Sequence, residues 1–566
     1  MKESFLPTKR VAYYWISNSL KKPADKPSMP KLTKIDLLAE HLIEIISETN
    51  GITLADTLEL AVMGETEHPH VKKSLLEFRR LLYGFQGDEV DIKTLLVHPV
   101  ASALFIFFKK FPKPYIEEHI HLTGSLSAEF IHPHLMKVLK GPKRDVYISI
   151  IDKVYGKGTA DQIETVEDVD NLVRLKDDEF FDRYLKILLL PKLILVDRET
   201  HSLAAYHMAH ELFHKYNVGK IRLKFTLSRA NQTADEQIPG LEHLTEEDVV
   251  LGLYDGFMQF KSEQPTFDFV LSPCFRKEAD FFDPHFSTKK EHFLYQVDAI
   301  LEMIEEYPFL VPYLCEVDTV GSEKDLYRKG HFAEMQQGFR KLHFKGFAIR
   351  SHHGETWHTL KKGVQAVDNS LNIWHIDTLE HGLSLGINPN FYFHSLYHRL
   401  VQQNERGEKV HPGSSDYKEL MDMDWREHES IRDNIFMGET LDEEEKRIFV
   451  KVKFHTAREV EHYQHDVLNR MINKGVSLIA LPSSNNKLTT SFEDYKDHPF
   501  SWWEKKGLKL GIGTDNYITL NTNYIQELLI LLFTDSENLK ITKLLMVATG
   551  ETRRPFLSQL LWKMRG

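Results

Sequence analysis

Among the residues of this chain that could do chemistry, His119 and His121 stand out first, in the stretch from Tyr115 to Leu126 (YIEEHIHLTGSL). Ile116, Ile120 and Leu122 give that stretch the character of a buried strand, and Thr123-Gly124-Ser125 reads as the turn that ends it. Side chains alternate faces along a strand, so the two imidazoles point the same way, one pleat apart. At that spacing they can bind one metal ion and leave the rest of its shell to distant residues. An ordinary half-buried pair is the competing reading of any His-x-His strand. The choice depends on whether the chain supplies further ligands.

Those ligands have to be carried by other elements. From residue 115 onward, apolar strand patterns alternate with longer helical ones, which predicts a parallel sheet of βα units. The expected strands are 116–122, 221–227, 267–275, 310–318, 346–351, 372–377, 476–481 and 508–515. Eight is the count that closes a (β/α)8 TIM barrel, whose chemistry sits at the C-terminal ends of the strands. Polar groups do collect there. His119 and His121 end the first strand, Glu316 and Asp318 end the fourth, and Gly321 and Glu323 come just after it. His352, His353 and Glu355 follow the fifth, and Glu380 and His381 the sixth. Ser484 and Asn485 follow the seventh, and Asp515 and Asn516 the eighth.

The remainder reads as packing. Residues 1–114 form an N-terminal helical region, with Leu38, Leu42, Ile45 and Ile46 at helical spacing and further helices over 71–83 and 92–108. A loop is expected over 22–30, where three prolines fall. Residues 115–566 form the barrel, interrupted after strand six by an inserted helical segment of about 388–465, a solvated arm or else a lid or subunit contact. A net charge of −12 argues against duplex nucleic acid as a stable partner. Two cysteines, Cys274 and Cys315, allow neither a disulfide framework nor a Cys-rich zinc site. The apolar run 97–108 is too short to span a membrane, and the start lacks a signal-peptide core, so a cytoplasmic protein is expected.

Taken in order, these strand-end residues resemble the adenosine deaminase family of zinc hydrolases, which includes the AMP deaminases. The matching pieces are His119-x-His121-Leu-x-Gly, Asp318 with Gly321, His352-x-Gly354-Glu355, His381-Gly382, Pro482-x-Ser484-Asn485 and Thr514-Asp515. The resemblance implies one Zn2+ per chain held by His119, His121, His352 and Asp515. It implies that Glu355 protonates N1 of a purine, that His381 orients the attacking water and shuttles protons, and that the Gly321 N–H approaches N3. Hydrolytic deamination of an adenine nucleoside or nucleotide to its inosine form, with release of ammonia, is the implied reaction. Another amidohydrolase-type hydrolase and a non-catalytic assembly scaffold are the alternatives.

Two departures bear on the substrate. Thr123 stands where adenosine-specific members carry an Asp that bonds the ribose 5′-hydroxyl, and a Thr does not repel a 5′-phosphate. Asn516 stands where the family carries a second Asp that donates to N7, and Asn has a permanent N–H donor. The length, the helical N-terminal region and the insertion are also similar to the deaminase subunit of bacterial RADAR-type phage-defence systems. That likeness implies a homo-oligomer, a partner ATPase and a place in antiviral defence.

Overall fold

The structure, a computed structural model, describes residues 33–64, 68–176, 179, 181–227, 238–489 and 494–564. Its centre is one sheet of eight strands: β1 (Tyr115–His121), β2 (Val218–Thr226), β3 (Asp268–Arg276), β4 (Glu316–Val320), β5 (Ala348–His353), β6 (Thr378–His381), β7 (Ser477–Ala480) and β8 (Lys509–Ile512). They run in sequence order, and every neighbouring pair is parallel. Beyond β8 the chain meets β1 again. His121 N–H donates to the Asp515 carbonyl at 2.8 Å, and Asp515 N–H donates to the His119 carbonyl at 2.9 Å. The sheet therefore rolls up into the expected (β/α)8 barrel.

Two features let that seam close. A Cβ on Gly513 would lie 2.6 Å from the Cβ of His119, so only glycine admits β1 this closely. Just below, the fully buried Glu117 carboxyl accepts from Thr514 Oγ1 at 2.9 Å and from the backbone N–H groups of Thr514 and His119, each at 3.1 Å. The closure thus fixes the relative height of His119, His121 and Asp515.

Two strands differ most from the expected ranges, and the others shift by one to three residues at their ends. The fourth begins at Glu316 rather than 310, because Pro308–Leu310 is a 3-10 turn whose Leu310 is buried. The sixth is Thr378–His381 rather than 372–377. Ser370–Trp374 instead forms a turn of π-helix, and the Trp374 indole packs on Phe332 and Phe339 and donates to the Phe332 carbonyl at 2.8 Å. A short apolar run does not by itself distinguish a buried strand from a buried helical turn.

N-terminal to the barrel are helices Lys34–Glu48, Leu54–Met63, Pro69–Gln86, Ile92–Leu96 and Pro99–Lys109. The pattern over 92–108 is two helices, because Pro99 starts the second one and His98 caps it, its Nδ1 accepting from Val100 N–H at 3.2 Å. The buried faces of these helices join the barrel's own hydrophobic core, with Phe78 edge-on to Phe533. The loop expected over 22–30 lies outside the described residues.

After β6 come helices Pro389–Glu405, Ser415–Asp422, Glu429–Met437 and Glu443–Lys474. The last is one continuous helix, and it opens with an Asp442–Glu445 capping box. It is seated on the barrel by Gln464, whose amide donates to the carbonyls of Ser384 at 2.8 Å and Ile387 at 2.9 Å. A second long connection, between β1 and β2, carries six α-helices among its described residues, from Ala128 to Tyr216, and had no mark in the sequence reading. No described helix is long and apolar enough to cross a membrane.

Candidate metal and catalytic site

At the C-terminal mouth of the barrel, three imidazoles and a carboxylate converge. His119 Nε2 lies 3.2 Å from His121 Nε2, which lies 3.3 Å from His352 Nε2. Asp515 Oδ1 is 3.6 Å from His121 Nε2 and 3.9 Å from His119 Nε2. Donor atoms about 2.0–2.1 Å from one zinc ion in a tetrahedron stand roughly 3.3 Å apart. The observed separations are close to that edge length.

The residues behind these groups set their protonation. Glu380 Oε2 is 2.7 Å from His119 Nδ1, and Asp318 Oδ1 is 3.1 Å from His352 Nδ1. Each carboxylate accepts an N–H from its imidazole, which leaves the Nε2 lone pair facing inward. Burial holds His119 and His121 well below the ordinary imidazole range, so both rings are neutral. Burial also raises the carboxyl of Asp515, against a hydrogen bond from Ser484 Oγ at 2.5 Å. Converging lone pairs beside a buried carboxylate repel one another unless a cation sits between them, so the donor set fits a divalent metal.

Beneath the site lies a buried charge network that sequence reading missed. Lys224, on β2 and fully buried, reaches Asp318 and Glu380 with its ammonium group. Arg350 Nε donates to Glu380 Oε1 at 2.5 Å. Burial opposes the Lys224 charge, but Asp318 and Glu380 outweigh it and hold its pKa above the ordinary value. Burial likewise opposes ionisation of Glu380, and Arg350, Lys224 and His119 overcome it. The sequence gives no sign of this, because Lys224 shares its strand with Lys220 and Arg222 and only burial sets it apart from them.

His381 and Glu355 stand on the other side of the cluster. His381, the last residue of β6, adopts a left-handed φ of 63°. The Asn485 amide donates to its Nδ1 at 3.1 Å, so its Nε2 carries the hydrogen and faces Glu355 Oε2 at 3.8 Å. His119, His352 and His381 also bring three nitrogens within 4.8 Å of one another, as do the ligand atoms of His119, His121 and Asp515. The N–H on His381 suits it to donate to an oxygen. Glu355 keeps 17 % of its side-chain exposure, yet its carboxyl is raised to about 7, first by desolvation and then by the charges of Asp515 and Glu323.

The other expected residues are placed as follows. Thr123 is half-buried in the turn after β1. Gly124 beside it packs on Asn516, whose Oδ1 would lie 1.7 Å from an added Cβ, and the Asn516 amide reaches Asp515 and Tyr184. Tyr184 comes from the unpredicted β1–β2 connection. Gly321 has a left-handed φ of 103° and lies against the Glu278 carboxylate. His353 points away from the cluster, with its Nδ1 2.6 Å from Ser351 Oγ and its ring packed on Phe332 and Trp374. A groove of about 1340 Å³ adjoins the site, running from Thr356, Trp357 and Ser483 out to Phe85 and Lys93 of the N-terminal helices.

No known protein family and no curated protein matches the chain. Solved structures do resemble it. Adenine deaminase from Arthrobacter aurescens is 12 % identical with a TM-score of 0.43, covering 80 % of this chain and 99 % of its own. The N6-methyl-AMP deaminase of Arabidopsis thaliana is 12 % identical with a TM-score of 0.46, covering 81 % of this chain and 98 % of its own. A zinc-bound amidohydrolase from Burkholderia ambifaria is 13 % identical with a TM-score of 0.43, covering 81 % of this chain and 94 % of its own. At TM-scores below 0.5 these likenesses leave the chemistry to the chain's own side chains.

Proposed function

We propose that this chain is a zinc-dependent deaminase that hydrolyses the 6-amino group of an adenine nucleoside or nucleotide. The observation that carries this reading is the pairing of a near-neutral carboxyl, Glu355, with a donor set suited to one divalent ion. His119, His121, His352 and Asp515 would hold the metal. Zinc in such a site supplies a Lewis acid that lets water ionise near neutral pH.

The chain's own groups account for the remaining steps. Water adds at C6 of the purine, the ring takes a proton at N1, and the 6-amino nitrogen leaves as ammonia. Glu355, raised to about 7, is protonated in a large fraction of molecules at neutral pH and can give its proton to N1. His381, fixed by Asn485 with its N–H outward, orients the attacking water and moves protons to the leaving nitrogen. The Asn516 amide, exchanging its Tyr184 hydroxyl partner for the base, would offer a donor to N7, and the Gly321 N–H one to N3. Thr123, at the end of β1, can donate to a phosphate oxygen or accept from a hydroxyl, so the reading extends to 5′-nucleotides.

The test is to incubate purified protein with adenosine, AMP, dAMP, ATP and dATP and follow the loss of adenine absorbance, with product mass and ammonia measured alongside. Conversion of at least one to its inosine counterpart is expected. No conversion of any of them by zinc-loaded protein would overturn the reading.

A further inference from the structure

We propose that Glu323 is the positioning residue for Glu355, a strap that holds the acid-bearing segment against the barrel. The proposal rests on the deaminase reading for its catalytic consequence, while its structural part stands independently.

Glu323 lies in the loop after β4 and is only 3 % exposed. Its Oε2 accepts from the Gly354 N–H at 2.9 Å, and its Oε1 accepts from the N–H groups of Glu355 and Thr356, both at 2.7 Å. Three consecutive backbone donors thus close on one carboxylate. The segment they belong to has left the β5 ladder, where His353 is the last paired residue, and the helix that follows starts only at Leu360. Without that partner the Gly354 N–H would be buried and unmet, and the part-buried N–H groups of Glu355 and Thr356 would lose their acceptor.

The geometry also limits how the segment can lie. Gly354 has a left-handed φ of 71°, and an added Cβ would meet Ser384 Oγ at 2.5 Å, so the turn is tight on the opposite side. The strap on one face and the close approach on the other leave Glu355 little freedom to retreat from His381. A displacement of about 1 Å in a reacting group costs on the order of a hundredfold in rate. The hydrogen bonds of Glu323 go to this backbone, and its charge also helps hold the Glu355 carboxyl up, so the exchange measurement is the one that reads the strap alone.

Glu323→Gln keeps the size of the side chain but replaces one acceptor oxygen with an N–H2 that opposes a backbone N–H. The expected result is a fall in kcat of about tenfold to a hundredfold, with KM within about threefold and zinc content unchanged. Hydrogen–deuterium exchange over fragments covering residues 354–356 should speed up by about tenfold in the same variant, with the rest of the barrel unaffected. Unchanged exchange there, or a kcat within twofold of the parent, would overturn the proposal. Should the variant not fold, exchange in the parent protein decides: amides 354–356 exchanging as fast as open loops would overturn it. If the parent converts none of the adenine compounds, the deaminase reading fails, and the exchange result still judges the strap.

Discussion

His119 and Glu380 are 2.7 Å apart, Nδ1 to Oε2, and both side chains are fully buried. The pair fixes which imidazole nitrogen is free, and the free one faces His121, His352 and Asp515. Glu380→Gln keeps an acceptor for the Nδ1–H but removes the charge. Its zinc affinity, measured by competition with a chromophoric chelator, is expected to fall by about tenfold to a hundredfold. The parent protein should carry about one zinc per chain by elemental analysis. An unaltered affinity in the variant would show that the Glu380 charge serves Lys224 and Arg350 and not the metal site.

Glu355→Gln separates acid chemistry from metal binding. The amide has the same shape and no acidic proton, so zinc content should stay as in the parent while turnover falls by about 10²–10⁴. Near-parental turnover would take Glu355 out of the mechanism.

The Lys224 ammonium neutralises Asp318 and Glu380 in a place that water does not reach. Lys224→Met leaves both carboxylates buried with less compensation, and breaking such a pair destabilises by about 3–5 kcal/mol. Urea unfolding of the two proteins measures this. A shift below about 1 kcal/mol would mean that Arg350 at Glu380 and His352 at Asp318 suffice.

Glu419, from the segment after β6, gives a pH-dependent stability. Its carboxyl accepts from the Leu360 N–H and from the Tyr392 hydroxyl, each at 2.7 Å, and burial raises it from an ordinary 4.5 to about 8. A carboxyl with a raised folded pKa binds its proton more tightly when folded. Its contribution is therefore complete below about 4.5 and is lost as pH rises through about 8. Stability should fall by up to about 1.4 kcal/mol per pH unit across that window, and Glu419→Gln should flatten the slope. Parallel slopes in parent and variant between pH 5 and 8.5 would assign the dependence elsewhere.

Thr123→Asp addresses substrate choice. A carboxylate at the end of β1 would accept from a 5′-hydroxyl and repel a 5′-phosphate, shifting the ratio of kcat/KM values toward adenosine by on the order of a hundredfold. Equal changes for adenosine and the nucleotides would show that Thr123 does not read the 5′ end.

The alternation of strand and helix patterns, and the placing of His, Asp and Glu at strand ends, are local properties, and the sequence carries them in full. His119-x-His121 on one strand face and Glu355 three residues beyond His352 follow from chain geometry alone. Strand limits at 310–318 and 372–377 were misread because Leu310 and Trp374 are buried by helical turns whose hydrophobicity looks the same over so few residues. Tyr184, Lys224 and Glu323 gave no local signal of their roles, because each acts on residues far away in sequence. Hydrophobic periodicity reports how a residue sits on its own element, and it determined the barrel. Which lysine neutralises which pair of carboxylates, which nitrogen of His119 is left free, and which carboxylate ties down the Glu355 segment depend on how eight strands close, since electrostatics and hydrogen bonding act through space between groups that only the closed barrel brings within 3 Å.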